Sequence, residues 1–467
     1  MYYNSIREQD VLFFKNRLGI SNVLVEDGLD EYASDHTEDI VATPEIVVFP
    51  KTTKHVSLIL SYCNENKIPV TPSASLTGLS GGGIPIYGGV SMSMKKMNSI
   101  LNVDVKNFQA TIQPGVINEE FQNFLQSKNL FYPPDPASKG TCTLGGNFAL
   151  NAGGPKAVKY GVTSNYVLNM EIVLPNGTVF WTGANTLKNA TGYNLTQLII
   201  GSEGTLAVIT KAVVKLLPLP SEKLLMLVPF DNNVDACDAV NSVMLSGCVP
   251  SSLEFMERDA VLFVQEQNYC VIPFKISKTT SSYLLIEIDG NSKKLLLEQS
   301  EKIYSILQKY KCGEILFAED SLDQKKVWKV RQSIGLAVKS YSVYKEEDTV
   351  VPRSELVTLL SSVKEIGKKY GFRSICYGHA GDGNLHINIL KENLEESVWT
   401  DIITDAIREI FELCVQLGGT ISGEHGIGLV QKKYLDIPFT KEQLELQKNI
   451  KTLFDPNMIL NPGKIFN

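Results

Sequence analysis

The sequence predicts an α+β protein built from two or three domains, and three observations lead there. At 467 residues the chain is long for one hydrophobic core, so two or three separate interiors are expected. Residues 40 to 220 alternate short β-branched runs with loops of small residues, as strands joined by glycine-rich turns do. From residue 222 strand-like and helix-like patterns follow one another as β-α-β-β-α-β, the ferredoxin-like arrangement.

The N-terminal "MYYNSIREQDVLFFKNRLG" is amphipathic with interspersed charges, which suits a helix and is unlike a signal peptide. Strands are expected in "EIVVFPKT", "IPVTPSASLTGLSGGG", "VSMSM", "FQATIQPG", "MEIVLPNGTVFWT" and "TLAVITKAVVKLLPLP", with Asn176-Gly177 marking a hairpin. Two glycine-rich loops stand among them, "TGLSGGGIP" (77–85) and "PPDPASKGTCTLGGNFALNAGGP" (133–155). Such loops let backbone N–H groups approach an anion, most often a phosphate, although either loop alone reads first as turn geometry. Two of them, with no G-x-G-x-x-G between a strand and a helix, point to a dinucleotide held outside a Rossmann fold.

The second half reads as strand "KLLMLVPF", a helix near 232–246, strands "SSLEFME" and "YLLIEIDG", a helix near 292–311 and strand "EILFAED". A helix carrying "DQKKVWKVRQSIGLAVKS", the strand "DTVVP", a helix near 353–370 and the stretch "GHAGDGNLHINI" follow. That last stretch holds two of the five histidines. Asp382-Gly383 reads as a two-residue hairpin turn, which sets His379 opposite His386 with Cβ atoms roughly 5 Å apart. Both rings then converge on one ion or substrate atom, and Asn388 shares their face; a solvated cross-strand pair is the bland alternative. A long helix leads on to "GGTISGEHGIG". Two histidines and the carboxylate of Glu424 would supply three ligands and leave an open position, as catalytic divalent sites do. His425 points the other way along an extended segment, where an imidazole titrating near neutrality suits a general base.

Composition narrows the classes. The net charge of −7 comes without a basic block, which argues against nucleic acid or an anionic membrane as partner. No apolar run approaches the roughly 20 residues of a spanning helix, so a cytoplasmic protein is expected. The eight cysteines, at 63, 142, 237, 248, 270, 312, 376 and 414, form no C-x-x-C pair, so neither an iron–sulfur cluster nor a zinc ribbon can be read from them.

"YPPDPASKGTCTLGGNFALNAGGPKAVKYG", "TGYNLTQLIIGSEGTLAVITKA", "GHAGDGNLHINI", "GTISGEHGIG" and "NPGKIF" together resemble the FAD-dependent D-2-hydroxy acid dehydrogenases. The resemblance is to the D-lactate dehydrogenase and glycolate oxidase catalytic subunit branch of the vanillyl-alcohol oxidase superfamily, from about residue 40 onward. It implies an FAD-binding domain of two α+β subdomains with its N-terminal helix over 1–220. A cap domain with an antiparallel sheet over 221–415 and a segment returning to the FAD domain over 416–467 would follow. It further implies that FAD pyrophosphate lies against Thr77, Gly78 and Ser80 and against Thr141, Gly145, Gly146 and Asn147, with Pro134 and Asp135 bordering the groove. Glu203, Gly204 and Ile209 would hold the adenine side, and Asn461 would approach the flavin.

The same resemblance places one divalent metal on His379, His386 and Glu424, zinc first, with manganese or iron as alternatives. It makes His425 the general base, Asn388 a substrate-facing amide, and Arg331 and Lys345 the cations for a substrate carboxylate. Lys345 aligns only across a one-residue gap. Where relatives often read R-G-G-G-T-G this chain has "SASLTG" at 73–78, so the first phosphate loop lacks an arginine and three glycines. No His or Cys stands where some members attach flavin covalently, so noncovalent FAD is expected. The implied activity is oxidation of a D-2-hydroxy acid, D-lactate first, with D-2-hydroxyglutarate or glycolate as alternatives. Electrons would pass to a partner such as an electron-transferring flavoprotein. A flavin-binding relay subunit without its own substrate is the reading from another class, and a homo-oligomer is left open.

Overall fold

The computed structural model describes residues 2–37 and 40–466. The chain forms two compact units. The first comprises the chain up to Gly153, then Val162–Leu219, then the chain from Glu424 onward; the second comprises Gly154–Gly161 and Pro220–Gly423.

Among the described residues the first unit holds two larger sheets and a two-stranded one, in which Leu217–Pro218 pairs with Leu130–Phe131. One runs in the order Val23–Leu24, Ile46–Val48, Val90–Ser93, Val70–Ser73, its last three strands parallel. Parallel strands need a crossover, and helix Thr53–Asn66 provides the one between the strands at 46–48 and 70–73, which flank Val90–Ser93. Thr52 starts this helix by accepting a hydrogen bond from the His55 N–H at 3.2 Å. Helix Glu8–Leu18 lies on the same core, Phe14 packing with Val56, Ile59, Leu60, Val70 and Met92. The second sheet is antiparallel, in the order Ile100–Asp104, Gln109–Ile112, Val208–Lys215, Val167–Val173, Val179–Trp181. The hairpin expected at Asn176-Gly177 joins its last two strands, with Gly177 at φ +86. The C-terminal residues extend the first sheet: Val70 N–H donates to Ile459 O at 2.8 Å and Asn461 N–H to Val70 O at 2.7 Å. Buried Lys451 secures that return, donating to Thr205 O at 2.7 Å and Leu460 O at 2.9 Å and pairing with Asp455 at 2.5 Å.

The second unit is built on one antiparallel sheet in the order Leu316–Ala318, Glu222–Phe230, Ser282–Gly290, Ser252–Glu257, Arg373–His379, Asn384–Leu390, Tyr344–Val350. Its first four members are the expected β-α-β-β-α-β unit with helices Asn233–Leu245 and Lys293–Leu307, and their spatial order is the ferredoxin-like one. The three further strands continue the sheet from the edge at Ser252–Glu257. Helix Ser321–Tyr341 packs Val327, Val330, Ile334 and Val338 into a core with Met256, Leu285, Ile375 and Tyr377. Asp320 caps that helix, accepting from the N–H groups of Leu322 and Asp323 at 2.9 Å each.

The histidine hairpin differs from expectation in its turn. Residues 380–383 form a four-residue loop, so His379 pairs with Asn384 and His386 with Tyr377. The register moves by two, an even number, and both histidines therefore keep the same face as diagonal neighbours. All eight cysteines are free thiols, six of them buried. No helix among the described residues is long and apolar enough to cross a membrane.

Candidate active site

In the second unit one face of the sheet gathers the polar groups. Strand parity puts Glu254, Met256, Tyr377, His379, Asn384, His386, Asn388, Glu346 and Asp348 on that face, because each pairs with, or lies two residues from, another of the set. His379 and His386 ring centroids are 5.4 Å apart at 82°. The centre of the arrangement is Glu254, a fully buried carboxylate in the strand "SLEFME". Its Oε1 lies 2.8 Å and its Oε2 2.9 Å from His379 Nδ1. Arg331, reaching from helix Ser321–Tyr341, donates to Glu254 Oε2 from Nε at 2.9 Å and meets it with Nη2 at 2.8 Å. The Arg331 guanidinium also stacks over the Tyr377 ring at 5.0 Å.

Burial alone would push the Glu254 carboxyl up; the neighbouring His379 ring and the Arg331 guanidinium outweigh it and hold the carboxyl below its ordinary value. An ionised Glu254 accepts from His379 Nδ1–H, which fixes that tautomer and turns the Nε2 lone pair outward. The same carboxylate occupies the Nε edge of Arg331 and leaves the Nη1–Nη2 edge uncommitted among the described residues, the edge that binds a carboxylate with two parallel contacts. Burial also pushes the Tyr377 hydroxyl well up, so it remains a proton donor. Asn388 is fully buried, and neither polar atom of its amide has a well-aligned partner among the described residues. His386 Nδ1 lies 3.4 Å from Glu346 Oε1 and 3.9 Å from Asp348 Oδ1.

Lys345 does not join this set. It pairs with Ile389 and alternates with Glu346, so it points from the opposite face of the sheet, its ammonium 5.4 Å over the Trp399 ring. A one-residue gap in the alignment reverses strand parity, which is why a sequence match placed it wrongly.

In the first unit a cleft is lined by the first glycine loop (Thr77, Gly78, Ser80), by Gly145, Gly146 and Asn147, by Glu203, Gly204 and Ile209, and by Glu424 and His425. The first loop fits a phosphate. The hydroxyls of Ser73 and Ser80 are buried without partners among the described residues, and no N–H from Ser75 to Ser80 donates to a described acceptor. Leu76 holds φ +56, a conformation natural to the glycine of relatives, and packs beside Tyr32, Val47 and Phe49. The second loop behaves differently. The N–H groups of Gly145, Gly146 and Asn147 are committed to Pro114 O, Thr143 Oγ1 and Thr143 O, so these residues offer surface rather than a cradle of free amides. A Cβ on Gly145 would sit 2.5 Å from that of Pro114, which accounts for the glycine by close packing.

Pro134, Asp135, Thr141 and Asn461 lie outside the lining. Pro134 O accepts from Asn118 and Gln122, Asp135 faces Lys139 at 3.8 Å, and Thr141 bonds back to Ser138. Asn461 braces instead of lining: its Nδ2 donates to Gly82 O at 3.0 Å and Glu203 O at 2.8 Å. Glu424 packs on the second loop, its Oε2 3.0 Å from where a Cβ on Gly153 would stand.

Several participants carried no readable motif. Asp35 and His36 line the cleft. Lys464 is buried and donates to Ile84 O at 2.6 Å, and burial pulls its pKa down to about 7, while burial pushes the Glu203 carboxyl up to about 7. Glu254 had one signal, a charge inside a strand whose two neighbours are apolar.

Residues 219–465 match the family described as FAD linked oxidases, C-terminal domain, and residues 44–183 match the FAD binding domain. The chain is similar to the D-lactate dehydrogenase of Anaerostipes hadrus, with 38% identity covering 99% of this chain and 98% of that protein. It is 37% identical to the glycolate oxidase subunit GlcD of Bacillus subtilis over 93% of this chain and 92% of that protein. Among solved structures p-cresol methylhydroxylase with bound substrate superposes with a TM-score of 0.81 at 21% identity, covering 97% and 96% of the two chains, a likeness of fold.

Proposed function

Because the chain belongs to the FAD-linked oxidases, with the FAD-binding fold of the vanillyl-alcohol oxidase superfamily, we propose that it oxidises a D-2-hydroxy acid, D-lactate first, to the 2-oxo acid. The observation that carries this reading is the buried Glu254 holding both Arg331 and His379. A guanidinium fixed along one edge presents its other edge to a substrate carboxylate with little freedom left to lose, which orients the reacting carbon. Asn388 supplies an amide for the substrate's polar groups. His425 accepts the hydroxyl proton as C2 loses its hydrogen with the bonding electron pair, leaving a carbonyl.

The first glycine loop and the strand end before it, with the orphaned hydroxyls of Ser73 and Ser80 and uncommitted amides, fit the pyrophosphate of FAD, and Glu203, Gly204 and Ile209 are assigned to its adenine side. When bound, FAD supplies the acceptor for that electron pair. The donor chemistry of His379, His386 and Glu424 fits one divalent cation, zinc first, and the carboxylate behind His379 is the outer partner such ligands use. Such a cation supplies Lewis acidity toward the substrate oxygens. Electrons then leave to a separate protein, for which an electron-transferring flavoprotein is the candidate. Lys345, on the opposite face of the sheet, takes no part. Anaerobic mixing of the yellow protein with a panel of D- and L-2-hydroxy acids tests the reading: flavin bleaching by D-lactate is expected. Bleaching by no member of the panel refutes it.

A further inference from the structure

We propose that Glu203 is a positioning residue for His425: its carboxylate clamps the backbone that follows His425 and sets where the imidazole stands. This rests on the reading of His425 as the base. Glu203 belongs to "GSEG", and the resemblance assigned it to cofactor binding alone. Its two carboxylate oxygens each take one amide of the "GEHGIG" loop: Ile427 N–H donates to Oε1 at 2.7 Å and Gly428 N–H to Oε2 at 2.8 Å. These are the second and third residues after His425. All the groups involved lie in the first unit.

The surroundings leave the clamp little play. Glu203 itself holds φ +53, between Gly201 at +73 and Gly204 at +66, in a stretch where glycine would be the easier residue. Glu203 N–H donates to Ala149 O at 2.9 Å, and its carbonyl accepts from Asn461 Nδ2 at 2.8 Å, so the backbone beneath the carboxylate is held on both sides. The clamped loop is pressed against its partners. A Cβ on Gly426 would stand 3.0 Å from Glu203 Oε1, and one on Gly428 2.1 Å from Ser80 O. Leu429 N–H donates to Ser80 O at 2.7 Å, and Ile465 N–H to Gly428 O at 2.9 Å. Lys464, itself buried, acts through its charge to lower the Glu203 pKa, in part offsetting the burial that raises it. The loop that follows His425 is thus held by the Glu203 carboxylate and by Ser80 O, and Asn461 ties the Glu203 backbone to the C-terminal return.

The test measures flavin reduction by D-lactate under anaerobic rapid mixing in Glu203→Asp, His425→Asn and the double variant. Glu203→Asp keeps a carboxyl group and withdraws it by one methylene, so it moves the clamp without removing the acceptor. With FAD retained and the substrate concentration for half-maximal rate within about threefold of wild type, the limiting reduction rate should fall about 10- to 100-fold, as a displaced reacting group predicts. In the His425→Asn background the same change should slow reduction by less than about threefold, because the group it positions is gone. Slowing of equal size in both backgrounds, or a Glu203→Asp rate within about threefold of wild type, overturns the proposal. A silent His425→Asn is a different failure: it removes the base from the proposed function and this inference with it. Should Glu203→Asp lose FAD, Glu203→Gln is measured in both backgrounds against the same two criteria.

Discussion

Glu254→Gln changes one atom of the second unit and tests whether that carboxylate organises its polar face. The wild-type group is fully buried and meets His379 Nδ1 at 2.8 Å and Arg331 at 2.8 and 2.9 Å. Glutamine keeps the shape and one carbonyl oxygen but replaces the other oxygen with an amide donor, and it no longer offsets the guanidinium. Arg331, with a side chain 7% exposed, is then a buried cation without its counter-charge. Removing one member of a buried pair destabilises by about 3–5 kcal/mol. With a urea dependence of about 3 kcal/mol per molar, the unfolding midpoint should fall by roughly 1–1.7 M. Flavin reduction should slow about 10- to 100-fold, the usual effect of losing the group behind a ligand histidine. Urea titration followed by tryptophan fluorescence and anaerobic rapid mixing read the two quantities. A midpoint within about 0.2 M of wild type, outside what such a buried pair allows, would refute the assignment of Glu254 as the bracket.

His386→Ala should lower bound divalent metal and turnover while FAD stays bound; equal metal by elemental analysis in variant and wild type would remove His386 from the ligand set. Acid precipitation should release the flavin into the supernatant, whereas flavin retained on the precipitated chain would show covalent attachment. Glu287 gives a pH dependence. Burial raises its pKa, but the charges of Lys156 and Lys223 prevail and bring it down to about 2 from an ordinary 4.5, with Lys156 Nζ at 2.7 Å and Trp328 Nε1 at 2.9 Å. A carboxyl depressed in the folded state gives stability that is complete above pH 4.5 and is lost as pH falls through about 2. That shift corresponds to about 3 kcal/mol. Glu287→Gln should flatten this part of the stability–pH curve measured by denaturant unfolding, and an unchanged slope would count against the assignment.

The sequence alone determined the features that depend on local pattern. Strand periodicity put His379, His386 and Asn388 on one face, and that survived a turn two residues longer than Asp382-Gly383 suggested, because an even shift of register preserves parity. Alternating strand and helix patterns identified the ferredoxin-like unit, and the glycine loops identified Thr77, Gly78 and Ser80 as part of a cleft. Lys345 shows the limit, since an odd shift sends a side chain to the other face. Which strands continue the sheet beyond Ser252–Glu257 was decided by tertiary pairing, and with it the placement of Glu254 beside His379. A carboxylate in a strand looks the same in sequence whether it faces water or a buried arginine, because its partner, Arg331, is 77 residues away. The clamp of Glu203 on Ile427 and Gly428 spans 224 and 225 residues. Long-range hydrogen bonds to backbone amides leave no mark on side-chain identity, so only the folded chain reveals them.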